Sequence, residues 1–186
     1  MKAFKIYNSD NAKYPANNLL ADIDNNLGFV PNVFAVIAES APALKSFIEL
    51  NEQFAESAFN PTSREIIQIV VSAENQCNYC VAGHTAFAEM QNVSPEIINA
   101  LRSNQPIADT KLEALNQFTR LLVRNKGMVS DNEVQKFLDV GYTPAHVIEV
   151  ILGICVKTFS NFANNVIGIP LDDEFAEYAW GSWNRA

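Results

Sequence analysis

The 186-residue sequence predicts an all-α, single-domain helical bundle. Three observations lead there. No run sustains the period-2 alternation of a half-buried strand, whereas apolar residues recur at helical spacing throughout. Helix-start signals (Ser/Thr/Asp/Asn, often with Pro in the first turn or Glu three residues on) open one segment after another. At 48% apolar and 18% charged residues, the chain can build one core without disulfide staples.

Residues 1–30 are polar and Asn-rich and read as an N-terminal arm, with Pro15 breaking any early helix and a short helix near Asn18–Asn25. The helical domain spans residues 31–186. Asn32 is positioned to cap Val33–Glu39. Ser40 and Pro42 open a helix through about Ala55. Thr62 and Glu65 have the spacing of a capping box for a helix to about Glu74, which is apolar nearly all round and therefore buried on most sides. Asn75 and Gln76 interrupt it, and a further helix runs from Cys77 or Asn78 to Met90. Ser94 opens the next, to about Ser103; Asp109 caps Thr110–Lys126, closed by Gly127. Ser130 and Glu133 form a capping box for a helix ended by Gly141. Thr143 caps the last long helix, from Pro144 to about Val166, which Gly168 and Pro170 end. Asp173–Ala179 closes the chain as a short helix.

The charge balance, 13 Lys+Arg against 21 Asp+Glu, gives a net −8 and excludes phosphate-backbone binding as a default role, so no nucleic-acid partner is expected. No segment reaches the ~20 apolar residues of a membrane span, and the first residues do not have a signal-peptide pattern. Three cysteines do not make a secreted disulfide framework. The expected location is the cytoplasm.

The chemistry concentrates in Glu65–His84. Cys77-Asn78-Tyr79-Cys80 places two sulfurs about 60° apart at a helix start, close enough to pair, where the macrodipole favours a thiolate. His84 follows Cys80 at i,i+4, within reach of its thiol. On a straight helix Glu65 would lie ~28 Å from His84; if the chain reverses at Asn75–Gln76, Glu65 comes within a turn of it. Cys80 is then a nucleophile, His84 its base, Glu65 the orienter and Cys77 the resolving thiol. Zinc is the main rival, and would need Cys155 or His146 to complete Cys77, Cys80 and His84. Val81 stands where c-type haem attachment requires His. The plain readings are a capping role for Glu65, a solvated helix end for Glu74, a core thiol at Cys155, a first-turn residue at His146, and packing for Tyr79 and Phe87. Asn161, Asn164 and Asn165 satisfy buried backbone or an interface.

Glu65, then Cys77-x-x-Cys80-x-x-x-His84, with the run Ser72–Thr85 and the helix end Asn165–Leu171, resembles the AhpD-like alkylhydroperoxidase branch of the carboxymuconolactone decarboxylase superfamily. Gly28-Phe29-Val30-Pro31-Asn32 is similar to its peroxidase-related subgroup. The resemblance implies an AhpD-like helical domain, a homo-oligomer (dimer, trimer or hexamer) and thiol peroxidase activity on hydroperoxides without metal, haem or other cofactor. It further implies a dithiol electron donor such as a lipoylated protein. By position, Cys80 is the peroxidatic thiol, Cys77 resolves, His84 is the base and Glu65 its relay. Tyr79 stands where well-studied members have a second histidine. The alternatives are a non-catalytic helical oligomer that senses redox state or binds zinc, and a lyase acting on a lactone acid. Apolar residues on the last long helix, with Phe175, Tyr178, Trp180 and Trp183, are expected in subunit contacts.

Overall fold

The structure, a computed structural model, describes residues 4–181. It contains α1 (Ala16–Leu27), α2 (Asn32–Ile37), α3 (Ala41–Ala55), α4 (Pro61–Glu74), α5 (Asn78–Met90), α6 (Pro95–Arg102), α7 (Thr110–Arg124), α8 (Asp131–Asp139) and α9 (Pro144–Ile167), then a 3-10 turn over Asp173–Tyr178. No strand occurs among the described residues, and the predicted all-α class is the observed one.

The apolar α4 is the axis of the bundle. Ile66, Ile67, Ile69, Val70 and Val71 are fully buried, and α5, α7 and α9 pack around them. A helix wrapped on three sides has no face for solvated polar groups. Glu74 illustrates the consequence. It is not the solvated helix end that its terminal position suggests: its carboxylate accepts hydrogen bonds from Arg124 Nε (2.9 Å) and Nη2 (2.8 Å) and from Arg120 Nη1 (3.1 Å). This paired carboxylate ties the end of α4 to α7.

Capping explains the boundaries. Ser40, Asp109, Ser130 and Thr143 each accept from a backbone N–H of the first turn, as predicted. Two starts differ. The cap of α4 is Asn60, whose Oδ1 accepts from Ser63 N at 2.8 Å; the helix begins at Pro61, before a Thr62 cap would allow, which frees Glu65 to point inward. Asn32 is inside α2 rather than before it, and its N–H donates to Asp172 Oδ1 at 2.8 Å. The predicted short early helix is longer, Ala16–Leu27, with Pro15 just before it, and buries Ala16 and Leu20. The N-terminal segment is therefore packed on the domain through α1 and α3.

Between α4 and α5 the chain reverses at Asn75–Gln76, with Gln76 in the left-handed region (φ 56°) and Cys77 N bonded to Ser72 O at 2.9 Å. The asparagines of α9 hold this turn. Asn165 Nδ2 donates to Asn75 O (2.8 Å), Asn75 Nδ2 to Asn161 Oδ1 (3.0 Å), and Asn161 Nδ2 to Ser72 Oγ (3.2 Å).

Helix α9 is long and apolar enough, by length and composition, to cross a bilayer, contrary to the expectation from sequence. Here one face packs on α3, α4, α5 and α7, burying Lys157, Ser160 and Asn161 with Val150 and Val156. The opposite face leaves Ile148, Ile151, Phe162 and Val166 exposed. Phe175 is buried, Trp180 Nε1 donates to Arg102 O and Tyr178 to Glu89. These aromatics fold back onto their own chain; Trp183 lies outside the described residues.

Gly153 sets the spacing of α9. A Cβ there would meet Phe54 Cζ at 2.7 Å and Ile67 Cγ2 at 2.8 Å, too close for either neighbour to remain in place. Gly153→Ala should destabilise the fold despite the ~1 kcal/mol helix-propensity gain, because overpacking costs about 1–3 kcal/mol. A thermal midpoint equal to or above the native one would show that α9 can move away freely.

Candidate active site

The α4–α5 reversal lays Glu65 alongside the far end of α5. Glu65 is 4% exposed, and an unpaired carboxylate at such a position is costly. Its Oε2 accepts from His84 Nδ1 at 2.9 Å, and its Oε1 accepts from Gln91 Nε2 at 2.8 Å and Gln68 Nε2 at 3.4 Å. On the other side of the imidazole, Lys157 Nζ donates to His84 Nε2 at 2.5 Å. The partners assign the tautomer: Nδ1 carries the proton toward the carboxylate, and Nε2 accepts from the ammonium. Burial, reinforced by the Lys157 charge, lowers the His84 pKa from its ordinary 6.5, although Glu65 opposes this. Burial lowers Lys157 from 10.5 to about 8. At neutral pH the imidazole is neutral and the amine mostly protonated.

Cys77 precedes the first turn of α5, its Sγ accepting from Cys80 N at 3.2 Å. Cys77 and Cys80 are joined in a disulfide, Cα–Cα 5.3 Å. Tyr79, between them, is turned away: its hydroxyl donates to Asp172 Oδ2 at 2.5 Å and accepts from Val33 N at 3.1 Å. Burial first, then the Asp172 carboxylate, raises the Tyr79 pKa, so this hydroxyl remains a neutral clasp. It joins the start of α5 to α2 and to the 3-10 turn.

A cavity of about 70 Å³ lies against Cys80. Cys80, His84 and Lys157 contribute its reactive groups, and Phe34, Phe47, Phe87 and Phe175 are among its walls. Edge-on contacts of Phe87 with His84 (5.7 Å) and Phe175 (5.6 Å) fix the aromatic side. An apolar enclosure with a few convergent polar groups is the usual form of a small-molecule site.

The structure thus brings Glu65, His84, Cys77 and Cys80 into one region. The relation of His84 to Cys80 differs from the i,i+4 expectation, since both ring nitrogens are engaged, one by Glu65 and one by Lys157. Cys155 is exposed on α9, not in the core, because it lies off the face shared by Gly153, Lys157 and Ser160. His146 caps the start of α9 and packs on Phe59 and Tyr142. No group of three or more His, Cys, Asp or Glu placed to hold a metal ion occurs among the described residues.

Sequence reasoning missed Lys157 and Asp172. Lys157 had a signal: it is seven residues after Val150 and four after Gly153, on the buried face of α9. Asp172 had none, since it meets Tyr79 across 93 residues.

Residues 41–120, which hold α4, α5 and the whole dithiol motif, match the model of the Carboxymuconolactone decarboxylase family. Over this stretch the chain is similar to that family. Its fold is AhpD-like. It superposes on the alkylhydroperoxidase AhpD core of an uncharacterized peroxidase-related protein from Ralstonia eutropha JMP134, with TM-score 0.84 at 20% identity, covering 92% of this chain and 93% of that one. A peroxidase-related protein from Silicibacter sp. TM1040 gives 0.80 at 20% identity over 89% of each chain. The debrominase Bmp8, solved as a cysteine-to-alanine variant with 2,3,4-tribromopyrrole, gives 0.74 at 15% identity over 87% of each. No curated protein matches the sequence.

The buried imidazole predicts a pH dependence. Unfolded His84 protonates near 6.5, whereas the folded residue resists. As pH falls below 6.5 the unfolded state binds more protons, and stability falls by up to ~1.4 kcal/mol per pH unit until folded His84 also protonates. Denaturant melts from pH 7.5 to 5 should show this slope, shallower in His84→Gln. Parallel slopes in the two proteins would remove His84 as its source.

Proposed function

We propose that the protein is a thiol-dependent peroxidase that reduces small apolar hydroperoxides through the Cys77–Cys80 pair. The observation that carries this reading is the position of the pair: a dithiol at a helix N-terminus whose Cys80 lines an apolar cavity together with His84 and Lys157 of the buried Glu65–His84–Lys157 string. The helix start and the nearby cation favour the thiolate of Cys80. That thiolate attacks one peroxide oxygen; the S–O bond forms as the O–O bond breaks, leaving a sulfenic acid and, after protonation, an alcohol. Cys77 displaces the sulfenic oxygen as water, forming the disulfide. A small dithiol, of which a lipoylated protein is one example, then reduces the pair and leaves oxidised. Proton balance comes from the buried string of Glu65, His84 and Lys157, of which His84 and Lys157 line the same cavity as Cys80.

Reduced protein should consume an alkyl hydroperoxide in the presence of dihydrolipoamide. Cys80→Ser should drop to the background of the free donor, Cys77→Ser should accumulate a sulfenic acid, and Cys155→Ser should retain the native rate. Peptide mapping should find the Cys77–Cys80 disulfide with Cys155 free. Peroxide loss in the native protein no faster than donor alone would overturn the reading. Thiol-independent decarboxylation of a lactone acid would replace it with the lyase alternative.

We also infer a homo-oligomer. The exposed row Ile148, Ile151, Phe162 and Val166 on α9 is an apolar strip of the kind that a second copy covers. Light scattering at micromolar concentration should give a multiple of 20.6 kDa; the monomer mass would refute it.

A further inference from the structure

We propose that Lys157, and not His84, exchanges the proton with Cys80: its ammonium holds the reduced Cys80 thiolate, and Glu65 and His84 act by positioning that ammonium. The inference rests on the dithiol reading above and names the acid and base within it. Lys157 is 4% exposed and lines the same small cavity as Cys80. The Nε2 lone pair of His84, the only imidazole atom able to accept from a thiol, is already occupied by Lys157 Nζ. The carboxylate, imidazole and ammonium form one string, Glu65 to His84 to Lys157, of which His84 and Lys157 line the cavity with Cys80.

The surroundings leave few competitors. Glu65 faces the string from α4 and His84 from α5. Tyr79 and Asp172, with Glu174 behind them, lie on the other flank of Cys80, where the Tyr79 hydroxyl is committed to Asp172. The α2 and α3 walls add only Val33, Phe34, Phe47 and Asn51, none of them titratable. Burial brings Lys157 to about 8, so its amine takes and returns a proton near neutral pH, which an exposed lysine does not do. The steps balance. The Cys80 thiol gives its proton to the neutral amine, leaving thiolate and ammonium. The thiolate then attacks the peroxide, the O–O bond breaks, and the departing alkoxide takes the proton back from Lys157. The net change is thiol plus hydroperoxide to sulfenic acid plus alcohol.

The test follows the thiol itself. In a Cys77→Ser, Cys155→Ser background, Cys80 is the single thiol, and its thiolate absorbance is titrated against pH with Lys157 intact, with Lys157→Met and with His84→Gln. A neighbouring opposite charge lowers a pKa by about 1–3 units. Lys157→Met should therefore cut the thiolate fraction at pH 7 about tenfold or more, and His84→Gln by less. Lys157→Arg should keep the thiolate, being permanently charged, yet slow the single-turnover reaction with peroxide because it returns no proton. If Lys157→Met proves unfolded by circular dichroism, Lys157→Gln, which keeps a donor toward His84 without the charge, decides the question. Unchanged titration in the uncharged variant, or a larger shift in His84→Gln, would overturn the assignment. The titration needs no turnover, so a native protein inactive toward peroxide would sink the peroxidase reading while Lys157 is still judged on the thiol.

Discussion

One buried carboxylate organises this bundle. Glu65 sits in the middle of the most apolar helix, where solvation is unavailable and an unpaired charge is expensive. It is accommodated only because α5 runs back along α4 and α9 crosses both. Gln68 comes from its own helix, His84 and Gln91 from α5, and the compensating charge, one hydrogen bond further on, from Lys157 of α9. Three helices are thus held in register at one polar point. Breaking one partner would leave the others buried and unsatisfied, which is the usual reason such networks rigidify their surroundings.

The rest of the site follows from that register. The Asn75–Gln76 turn brings the dithiol to the start of α5, while Glu65 holds α5 further along at His84 and at its end at Gln91. Asn161 and Asn165 of α9 hold the turn itself, and Gly153 lets α9 approach closely enough to do both. Tyr79 closes the remaining side by clasping Asp172 and the α2 backbone. The cavity is the space these constraints leave between aromatic walls, which makes it largely preformed and small. A preformed pocket with its charged groups already desolvated is suited to stabilising charge that develops on sulfur and oxygen.

The two faces of α9 show how one helix serves two ends. Its inner face carries Lys157, Ser160 and Asn161 into the core, and its outer face presents isoleucine, valine and phenylalanine to solvent. The composition alone resembles that of a membrane span. Which face is polar, and which apolar residues remain uncovered, is decided by the bundle.

The sequence by itself determined the helical class, most helix starts and the motif of Cys77, Cys80, His84 and Glu65, because caps, periodicity and i,i+3/i,i+4 spacing are local properties of the backbone. Even Glu65 opposite His84 was legible, since a two-residue break in a helix pair leaves little choice but antiparallel return. Local signals also misled where a competing cap or a distant partner existed. Asn60 outbid Thr62, Glu74 found two arginines forty-six and fifty residues on, and Cys155 fell on the outer face of a helix whose inner face could not be identified without its neighbours. Only the tertiary structure decided that a lysine from α9 completes the Glu65–His84 string and that Asp172 clasps Tyr79. Both depend on where helices far apart in the chain cross, and that is set by the summed packing of the whole core rather than by any segment's own preference.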